Sequence, residues 1–402
     1  MPAAKPADRA VADCDVVVIG GGIQGLVALN ALLEKGYSCA LVTEGDLGGG
    51  QTLHSHGFLN SGFGFAGPEL PKASADVVQP ELLRRGLELG REWVLIPPPG
   101  FPVQEGAPPA TLPRGFDPSQ AEGAIGLPDA SFPKRPLVEA LSDGNRDRVL
   151  RGHATPSWDG ERVEAVTVRQ ADTGEEVTIS TRALVVAAGC GSKRILEKLV
   201  GRTPQVERIQ HRRVQMVCLR APRGALPTTS VAAMPLGLLL AAHDQPDGVT
   251  WYVTPWDFGG PTYGDVPTDA AADVDPELVV RACQGLLQLF PGLALVDGLQ
   301  VGCYAGYRQD IGNLPATPMC ELVDGTANVV AALPSGLVGP WLNAVTMIEI
   351  LGPLVDPSHS QGPLPGAGVG VHVGQVVEDR PGFAWMSWDE WLRAHPGIEG
   401  GG

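Results

Sequence analysis

The chain has 402 residues, a formal net charge of −16 at pH 7 and a hydrophobic content of 44%. This length exceeds the usual size of one domain, so we expect two domains, each with its own core. The acidic balance argues against nucleic acid and anionic membrane surfaces as partners, because both carry negative charge.

The cysteines and the start of the chain indicate a cytoplasmic protein. Seven cysteines are scattered without a C-x-x-C pair, which is typical of reduced, buried thiols and predicts no structural metal site. Residues 1–10 are polar and lack an apolar core, so we expect a short disordered leader and not a signal peptide. No apolar run reaches the length of a membrane span.

A strand, a helix and a second strand are predicted in succession near the start. Apolar, β-favouring residues lead up to position 19, a helical pattern runs from 26 to 36, and a second apolar strand covers 39–42. Between the first strand and the helix, Gly20, Gly22 and Gly25 have the spacing G-x-G-x-x-G. This complete β-α-β order predicts a dinucleotide-binding unit.

Each part of this unit has a chemical use. Gly20 permits the tight turn, Gly22 lets a pyrophosphate approach the backbone, and Gly25 lets helix and strand pack closely. The helix N-terminus offers N–H groups and a positive dipole end to the phosphates. Glu44, after the second strand, can accept hydrogen bonds from ribose hydroxyls, which argues against NADP. The unit by itself leaves NAD and FAD open.

The next stretch, 45–62, is rich in glycine but also carries histidine, threonine and serine. One interpretation is a flexible linker; the other is a loop that passes the pyrophosphate and lies along a flavin ring.

Here the sequence resembles the D-amino-acid-oxidase-like FAD-dependent oxidoreductases, also described as the glutathione-reductase-2 group. Residues 51–62, QTLHSHGFLNSG, resemble the QTGHNSGVIHSG stretch of L-2-hydroxyglutarate dehydrogenases. Residues 50–57 resemble the GTTWHxAG stretch of sarcosine and dimethylglycine dehydrogenases.

The resemblance implies FAD as the cofactor and gives the two histidines of the loop a role. In the sarcosine branch the histidine that matches His54 carries the flavin covalently. Along an extended chain His54 lies about 6–7 Å beyond Thr52, towards the dimethylbenzene edge of the flavin. His54 and His56 are also candidate bases, since an imidazole titrates near neutral pH. His56 and Asn60 depart from the family pattern, which leaves the substrate open.

The middle of the chain is predicted to alternate between two domains. Residues 68–130 and 205–299 are assigned to a substrate domain, with helices at 80–93 and 276–290 and strands at 214–219 and 249–256. Between these segments the chain is predicted to return to the cofactor domain. The elements predicted there are a strand at 149–155, a hairpin over 162–180 and a buried strand from 183 to the glycines near 190. Aromatic residues are divided between core packing (Trp93, Phe101) and candidate pocket positions (Trp251, Tyr252, Trp256).

Two late segments also match the family. In Gly306-Tyr307-Arg308, the resemblance implies that the arginine binds a substrate carboxylate over the flavin, and arginine geometry suits that role; the alternative is a structural salt bridge. Residues 336–339 open a helix from 340 to 351. The resemblance implies that its N-terminus lies at the flavin C2 carbonyl, where the dipole stabilises the negative charge of reduced flavin.

The last 47 residues, 356–402, lie outside the resemblance. They are predicted to contain a linker, a strand at 369–377 and a final helix whose first turn, Ser387 to Glu390, has the pattern of a capping box. Trp385, Trp388 and Trp391 suggest that this short helix docks onto a protein surface, either of its own chain or of a partner.

Together these features predict an α/β flavoprotein with a Rossmann-like, discontinuous FAD-binding domain (10–66, 131–202, 302–355). A mixed-sheet substrate domain (67–130, 203–301) and a C-terminal extension (356–402) complete it. The resemblance implies oxidation of a CH–OH or CH–NH bond of a small, acidic substrate by hydride transfer to flavin N5. The electron acceptor stays open between oxygen, a quinone and a carrier protein. The alternatives are an NAD-dependent dehydrogenase and a non-catalytic flavin-binding scaffold with a tryptophan-rich docking tail.

The predicted catalytic residues are His54, His56 and Arg308. The predicted cofactor contacts are Gly20, Gly22, Ile23, Gln24, Gly25, Glu44, Gly50, Gln51, Thr52, His54, Gly57, Ala188, Gly189, Gly336, Leu337, Val338 and Gly339.

Overall fold

The computed structural model describes residues 10–59, 74–90, 92–101, 109–255, 264, 274–312, 318–334, 336–360, 362, 364–396 and 398. The chain divides into two compact units, each built from three segments. The first unit comprises Met1–Leu53, Arg135–Gln210 and Gln309–Gly374. The second unit comprises His54–Lys134, His211–Arg308 and Gln375–Gly402. The segment predicted as a C-terminal extension, 356–402, is therefore divided between the two units.

The elements follow in chain order. The strands are β1 (Ala10–Ile19), β2 (Cys39–Thr43), β3 (Phe58–Leu59), β4 (Trp93–Ile96), β5 (Ile125–Leu127), β6 (Ala130–Ser131), β7 (Val149–Trp158), β8 (Val163–Gln170), β9 (Glu176–Val186), β10 (Ile209–Ala221), β11 (Ser230–Ala233), β12 (Leu238–Gln245), β13 (Gly248–Pro255), β14 (Gln300–Ile311), β15 (Met319–Leu322), β16 (Val329–Leu333) and β17 (Met386–Ser387). The helices are α1 (Ile23–Glu34), α2 (Gln51–His54), α3 (Gln79–Arg84), α4 (Lys134–Ser142), α5 (Ser192–Val200), α6 (Pro204–Glu207), α7 (Pro276–Leu289), α8 (Gly339–Leu351) and α9 (Trp388–Ala394).

The first unit is built on a seven-stranded sheet. Strand β1 lies between β2 and β9 and pairs in parallel with both. Strand β16 extends the parallel part beside β9, and β7 extends it beside β2. Strand β8 joins β7 and β9 through antiparallel pairing, and β15 pairs antiparallel with β16. The apolar run Val16–Val18 is fully buried, as expected for a central parallel strand covered on both faces.

The second unit contains an eight-stranded sheet in the order β17-β14-β10-β13-β12-β11-β4-β5. It is mixed, because β11 pairs in parallel with β4 whereas β10, β13 and β12 pair antiparallel. One face is apolar and packs against α7 and α9. Val217, Trp251 and Val301 lie on this face together with Trp388 and Trp391 of the final helix. The final helix therefore docks onto its own chain.

Several predicted elements differ from the observed ones. The helix predicted at 80–93 ends at Arg84, because Gly86 adopts a positive φ of 78°, and Trp93 begins a strand instead. Strand β9 is continuous where two strands were predicted. The strand predicted at 369–377 is absent: positive-φ glycines make turns at 366–370, and only Val373 bridges to Leu47. Among the described residues, no helix is both long and apolar enough to cross a membrane.

A buried carboxylate fastens the first unit at its N-terminal strand. The Asp15 carboxylate accepts hydrogen bonds from the backbone N–H of Ser38 at 2.9 Å, from the N–H and hydroxyl of Ser358 at 2.9 and 2.7 Å, and from the Arg182 guanidinium at 2.9 Å. Burial acts to raise the pKa of Asp15, but these hydrogen bonds together lower it. Asp15 thus ties β1 to residues that follow α8.

We expect Asp15→Asn to lower the free energy of unfolding by about 1–3 kcal/mol at pH 7, because a hydrogen-bonded carboxylate is lost. The folded pKa of Asp15 is depressed, so its contribution is present above the unfolded value of about 3.9 and is lost as the pH falls through the folded pKa. Urea unfolding of the variant and the wild type at pH 7 and below pH 4 measures both effects. Asp13→Asn, at an exposed position of the same strand, is the matched control. An equal loss in both variants would contradict the assignment.

Candidate functional site

The three glycines of the G-x-G-x-x-G pattern occupy different surroundings, so packing does not require glycine equally at each of them. Gly20 has a φ of 131°, and a Cβ there would collide with the Ala187 carbonyl. A Cβ on Gly25 would collide with the Gly20 carbonyl. At Gly22, by contrast, the nearest atom to a Cβ is Thr52 Oγ1 at 3.4 Å, an ordinary contact. Packing therefore demands glycine at 20 and 25 but not at 22, where the backbone is left open to a ligand.

The N-terminus of α1 begins at this open glycine. Gly22 is the N-cap residue and has no side chain with which to cap the helix, and the first turn carries no acid. The Ile23 N–H donates to Thr52 Oγ1 at 3.0 Å, so the predicted contact Thr52 holds the glycine-rich loop against the helix. A helix end without an acidic cap keeps its positive dipole end available to an anion.

The N-terminus of α8 has the same properties. It has no side-chain cap and no acid in its first turn, and a Cβ on Gly339 would collide with the Pro334 carbonyl. Gly336 has open space around it, and Val338 is buried. Packing thus explains glycine at 339 but does not explain it at 336.

Glu44 lies at the end of β2 and is about half exposed. His153 Nδ1 lies 2.7 Å from its carboxylate, and the Arg194 guanidinium lies 3.4 Å from both oxygens. No local pattern around Glu44 predicts these two neighbours, because they follow in β7 and α5, more than 100 residues later. A ribose hydroxyl would therefore share Glu44 with two nitrogen donors.

The other cofactor contacts predicted in this unit lie on turns. Ala188 and Gly189 follow β9, and Gly189 has a φ of 54° with open space beside it. Gln51 begins α2, and its side-chain oxygen accepts from the Gln309 N–H at 3.4 Å. A Cβ on Gly50 would meet nothing within 4 Å, so packing does not require glycine there.

The second face of the eight-stranded sheet differs from the apolar one. Alternation along β10, β12, β13 and β14 places on it polar and aromatic side chains, which we call the polar face: Arg212, Cys218, His243, Tyr252, Tyr304 and Arg308. The Tyr304 hydroxyl donates to the His54 carbonyl at 3.1 Å, and His243 Nε2 donates to the His56 carbonyl at 2.8 Å. Both loop histidines are therefore held against the polar face.

Glycines let the histidine loop approach this face. A Cβ on Gly306 would lie 3.5 Å from the His54 Cβ. Gly57 has a φ of 65°, and a Cβ there would lie 2.7 Å from the Phe132 carbonyl and 2.8 Å from the His243 ring. Gly57, predicted as a cofactor contact, is thus required by packing inside the second unit.

The two histidines do not titrate near neutral pH, contrary to the expectation. Burial, with the charges of Arg380 and Lys134, lowers the pKa of His54 to about 4. Burial, with the charges of Arg308, His243, Lys134 and Arg212, lowers the pKa of His56 to about 3. Both imidazoles are therefore neutral at pH 7 and are weaker bases than free imidazole.

The aromatic residues singled out in the sequence lie at different places in the second unit. Tyr252 lies on the polar face, whereas Trp251 lies on the apolar face, with its ring centroid 4.9 Å from that of Phe290. Trp93 stacks on Phe58 at 4.3 Å and belongs to the core, as predicted. Trp256 and Asn60 lie outside the described residues.

Two further residues near the histidine loop were not predicted from the sequence. Lys134 and Glu378 are almost fully buried, and the Lys134 ammonium lies 3.5 Å from Glu378 Oε1. Nothing in the local pattern around either residue marks it as buried, and Glu378 falls in the segment outside the resemblance. Among the described residues, no group of His, Cys, Asp and Glu is arranged to hold a metal ion.

Residues 15–334 match the family described as FAD dependent oxidoreductase (DAO). The chain belongs to this family. It is similar to a probable FAD-dependent oxidoreductase of Pseudomonas aeruginosa, with 27% identity over 320 residues that cover 70% of this chain and 76% of that protein.

Solved structures show the same fold. An FAD-dependent oxidoreductase from Pseudomonas aeruginosa superposes with a TM-score of 0.68 at 21% identity and covers 92% of this chain and 98% of its own. L-amino acid deaminase from Proteus vulgaris gives 0.64 at 15% identity, covering 89% and 98%. Glycine oxidase from Geobacillus kaustophilus gives 0.60 at 18% identity, covering 90% and 100%.

Membership of this family of FAD-dependent oxidoreductases makes the protein an enzyme and a flavoprotein, and argues against the NAD-dependent alternative. The first unit fits the cofactor, because Gly22 leaves an open backbone at a helix N-terminus whose first turn carries no acid. The tryptophan-rich tail offers no docking surface for a partner at Trp388 and Trp391, since both are buried in their own unit.

Proposed function

We propose that this FAD-dependent oxidoreductase oxidises a CH–NH or CH–OH bond of a small, anionic substrate by hydride transfer to flavin N5. The first unit would hold FAD through Gly20, Gly22, Gly25, Glu44 and the N-terminus of α1. The second unit would bind the substrate's acidic group at the polar face. Bound FAD supplies the two-electron acceptor, and the chain supplies binding, orientation and charge.

The observation that carries this proposal is the pair of arginines on the polar face. Arg308 is four residues from Tyr304 along β14, and Arg212 is six residues from Cys218 along β10, so each arginine has the alternation parity of a residue on that face. Tyr304 and Cys218 belong to one cluster of buried side chains. Both arginines act on the same ring, since each contributes to the low pKa of His56. Two guanidinium groups near neutral imidazoles favour an anion, and a guanidinium binds a carboxylate through two parallel hydrogen bonds.

The neutral histidines suit hydrogen bonding better than proton abstraction at pH 7. The Nε2 atoms of His54 and His56 are buried, and neither makes a hydrogen bond to a described residue. A buried polar atom normally has a partner, so each nitrogen is available to a bound group. We propose that they hydrogen-bond to the substrate or the cofactor as neutral imidazoles.

The substrate class is best sought first among amines that carry a carboxylate. The loop 50–62 resembles both a hydroxy-acid branch and an N-methyl-amine branch, and both kinds of substrate are anionic acids or amino acids. The solved structures of similar fold include an amino acid deaminase and a glycine oxidase, which act on amino acids according to their names. We therefore propose to test amino acids first and hydroxy acids next. Both oxidation of a CH–NH bond and oxidation of a CH–OH bond stay open.

The test is an anaerobic photometric screen of the purified holoenzyme. Amino acids, hydroxy acids and N-methyl amino acids are added in turn, and bleaching of the oxidised flavin absorbance is followed. We expect bleaching by at least one acidic substrate and none by its amide, and admission of air or of a quinone then identifies the acceptor. Bleaching only by uncharged substrates would contradict the role of the polar face.

Covalent attachment of FAD at His54 is a separate prediction. Thr52 and His54 are not joined by extended chain as expected, because residues 51–54 form the helix α2, in which the rise is about 1.5 Å per residue. The match to the sarcosine branch still supports attachment, and the neutral state of His54 at pH 7 is the nucleophilic one. We expect yellow colour in the protein pellet after acid precipitation, and none in that of His54→Asn. Colour confined to the wild-type supernatant would rule out the bond.

A further inference from the structure

The last segment of the chain places a carboxylate inside the second unit. Residues 375–398 follow the family match, which ends at residue 334, yet they belong to this unit. Val377 packs with Met216 and with Tyr252 and Tyr304 of the polar face. The next residue, Glu378, is 6% exposed. A glutamate is almost never buried to this extent unless it is paired.

The pairing partners of Glu378 are a lysine and a tyrosine. The Lys134 ammonium lies 3.5 Å from Glu378 Oε1, and the two side chains are 2% and 4% exposed. The Tyr252 hydroxyl donates a hydrogen bond to the same oxygen. The ammonium also lies 3.8 Å from the centroid of the Tyr252 ring, in cation–π geometry. The Glu378 carboxylate therefore fixes the side chains of Lys134 and Tyr252.

The charge of Lys134 depends on this carboxylate. Burial lowers the pKa of Lys134, and Glu378 is the strongest influence that raises it. The other groups that face Lys134 are Cys218 and Asp379, which also raise its pKa, and the rings of His54, His56 and His243. An ammonium left without its partner in such surroundings is strongly destabilising, so it would lose its proton instead.

Lys134 and Tyr252 in turn act on the histidines. The charge of Lys134 contributes to the low pKa values of His54, His56 and His243. The Tyr252 ring meets the His243 ring edge-on at 5.0 Å, and His243 donates to the His56 carbonyl. A continuous set of contacts thus runs from Glu378 to the loop that carries both predicted catalytic histidines.

We propose that Glu378 is a positioning residue of the candidate active site. Its carboxylate fixes the Lys134 ammonium and the Tyr252 hydroxyl behind the histidine loop, so the C-terminal segment completes the polar face. The active-site role rests on the proposed function, whereas the pairing of Glu378 with Lys134 can be tested without turnover.

The first experiment compares Glu378→Gln with wild-type holoenzyme in steady-state kinetics. The Lys134 ammonium and the Glu378 carboxylate together carry no net charge. In the variant, Lys134 without its proton and the glutamine side chain at position 378 also carry no net charge. We therefore expect KM for an acidic substrate to change little, while kcat falls about 10- to 100-fold because the histidine loop is less well placed. Glu378→Asp, which keeps a carboxylate, should recover part of kcat. Asp389→Asn, an exposed carboxylate of the same segment, is the matched control and should change neither constant.

The second experiment measures the free energy of unfolding of the same proteins between pH 6.5 and 10. In Glu378→Gln the folded pKa of Lys134 falls further below its unfolded value of about 10.4, so the unfolded state binds more protons and stability rises with pH in this window. We expect a steeper rise than in wild type or Asp389→Asn. The added rise should disappear in Lys134→Met/Glu378→Gln, which has no buried lysine.

The two experiments separate the pairing from the function. An unchanged kcat in Glu378→Gln, or an equal fall in Asp389→Asn, would overturn the positioning role. A pH dependence equal to that of wild type would overturn the pairing. If Glu378→Gln does not fold, Tyr252→Phe removes only the hydroxyl that donates to Glu378 and should still lower kcat. A wild-type enzyme whose flavin no substrate bleaches would contradict the proposed function, while the pH measurement still decides the pairing.

Discussion

Gly22→Leu is expected to fold normally and to purify without FAD. A Cβ at Gly22 meets only Thr52 Oγ1, at 3.4 Å, so the first unit can accommodate a side chain at this position. The same side chain would fill the space that the pyrophosphate needs at the N-terminus of α1. The flavin absorbance per mole of protein measures the loss, and circular dichroism with thermal unfolding measures the fold.

Two variants make this prediction sharper. Gly25→Ala should lower the stability of the first unit, because its Cβ would collide with the Gly20 backbone, which cannot move aside as a side chain would. Gly292→Leu, at an exposed turn of the second unit with nothing within 4 Å, should keep both fold and flavin. A folded Gly22→Leu that retains a full complement of FAD would refute the assignment of this turn.

Arg308→Ala is expected to weaken the binding of an acidic substrate by about 1.5–3 kcal/mol, or roughly 10- to 150-fold, because a charge-assisted hydrogen bond is lost. The affinity of the matching amide, which has no carboxylate, should change much less. Substrate titrations that follow the flavin spectrum under anaerobic conditions give both affinities. The difference between acid and amide isolates the carboxylate contact from any general disturbance.

The matched control for Arg308 is Arg281→Ala, an exposed arginine on α7 that removes the same charge from the same unit. Its affinity for the acid should be that of wild type. Equal affinities for the acid in Arg308→Ala and wild type would show that Arg308 serves only as a structural ion pair. Loss of acid and amide binding together would point to a collapsed polar face.

Local patterns in the sequence predicted those elements whose formation depends on neighbouring residues. The β-α-β unit was found because the apolar strands, the glycine spacing and the helix lie within 35 residues of one another. The capping box at the last helix is present, with Ser387 Oγ accepting from the Glu390 N–H and the Glu390 side chain accepting from the Ser387 N–H. At the start of α7 the Asp275 side chain accepts from the N–H groups of Glu277 and Leu278.

Glycine turns explain some of the predictions that failed, and distant contacts explain others. The apolar residues at 369–377 do not form a strand, because the glycines between them turn the chain and only Val373 finds a partner, in Leu47. His54 and His56 were expected to titrate near neutral pH, but their pKa values depend on burial and on Lys134, Arg212, Arg308 and Arg380. No local pattern in 50–57 contains these residues.

The sequence by itself determined the fold class, the FAD-dependent family and the glycine turn at α1, because each depends on spacing within short segments. Only the tertiary structure decided which of those glycines packing requires, and only it brought Glu378 to Lys134 across 244 positions of the chain. Charge and burial at a site depend on groups that chain folding brings together. The protonation states of the histidines and the contribution of the C-terminal segment therefore became visible only in the folded protein.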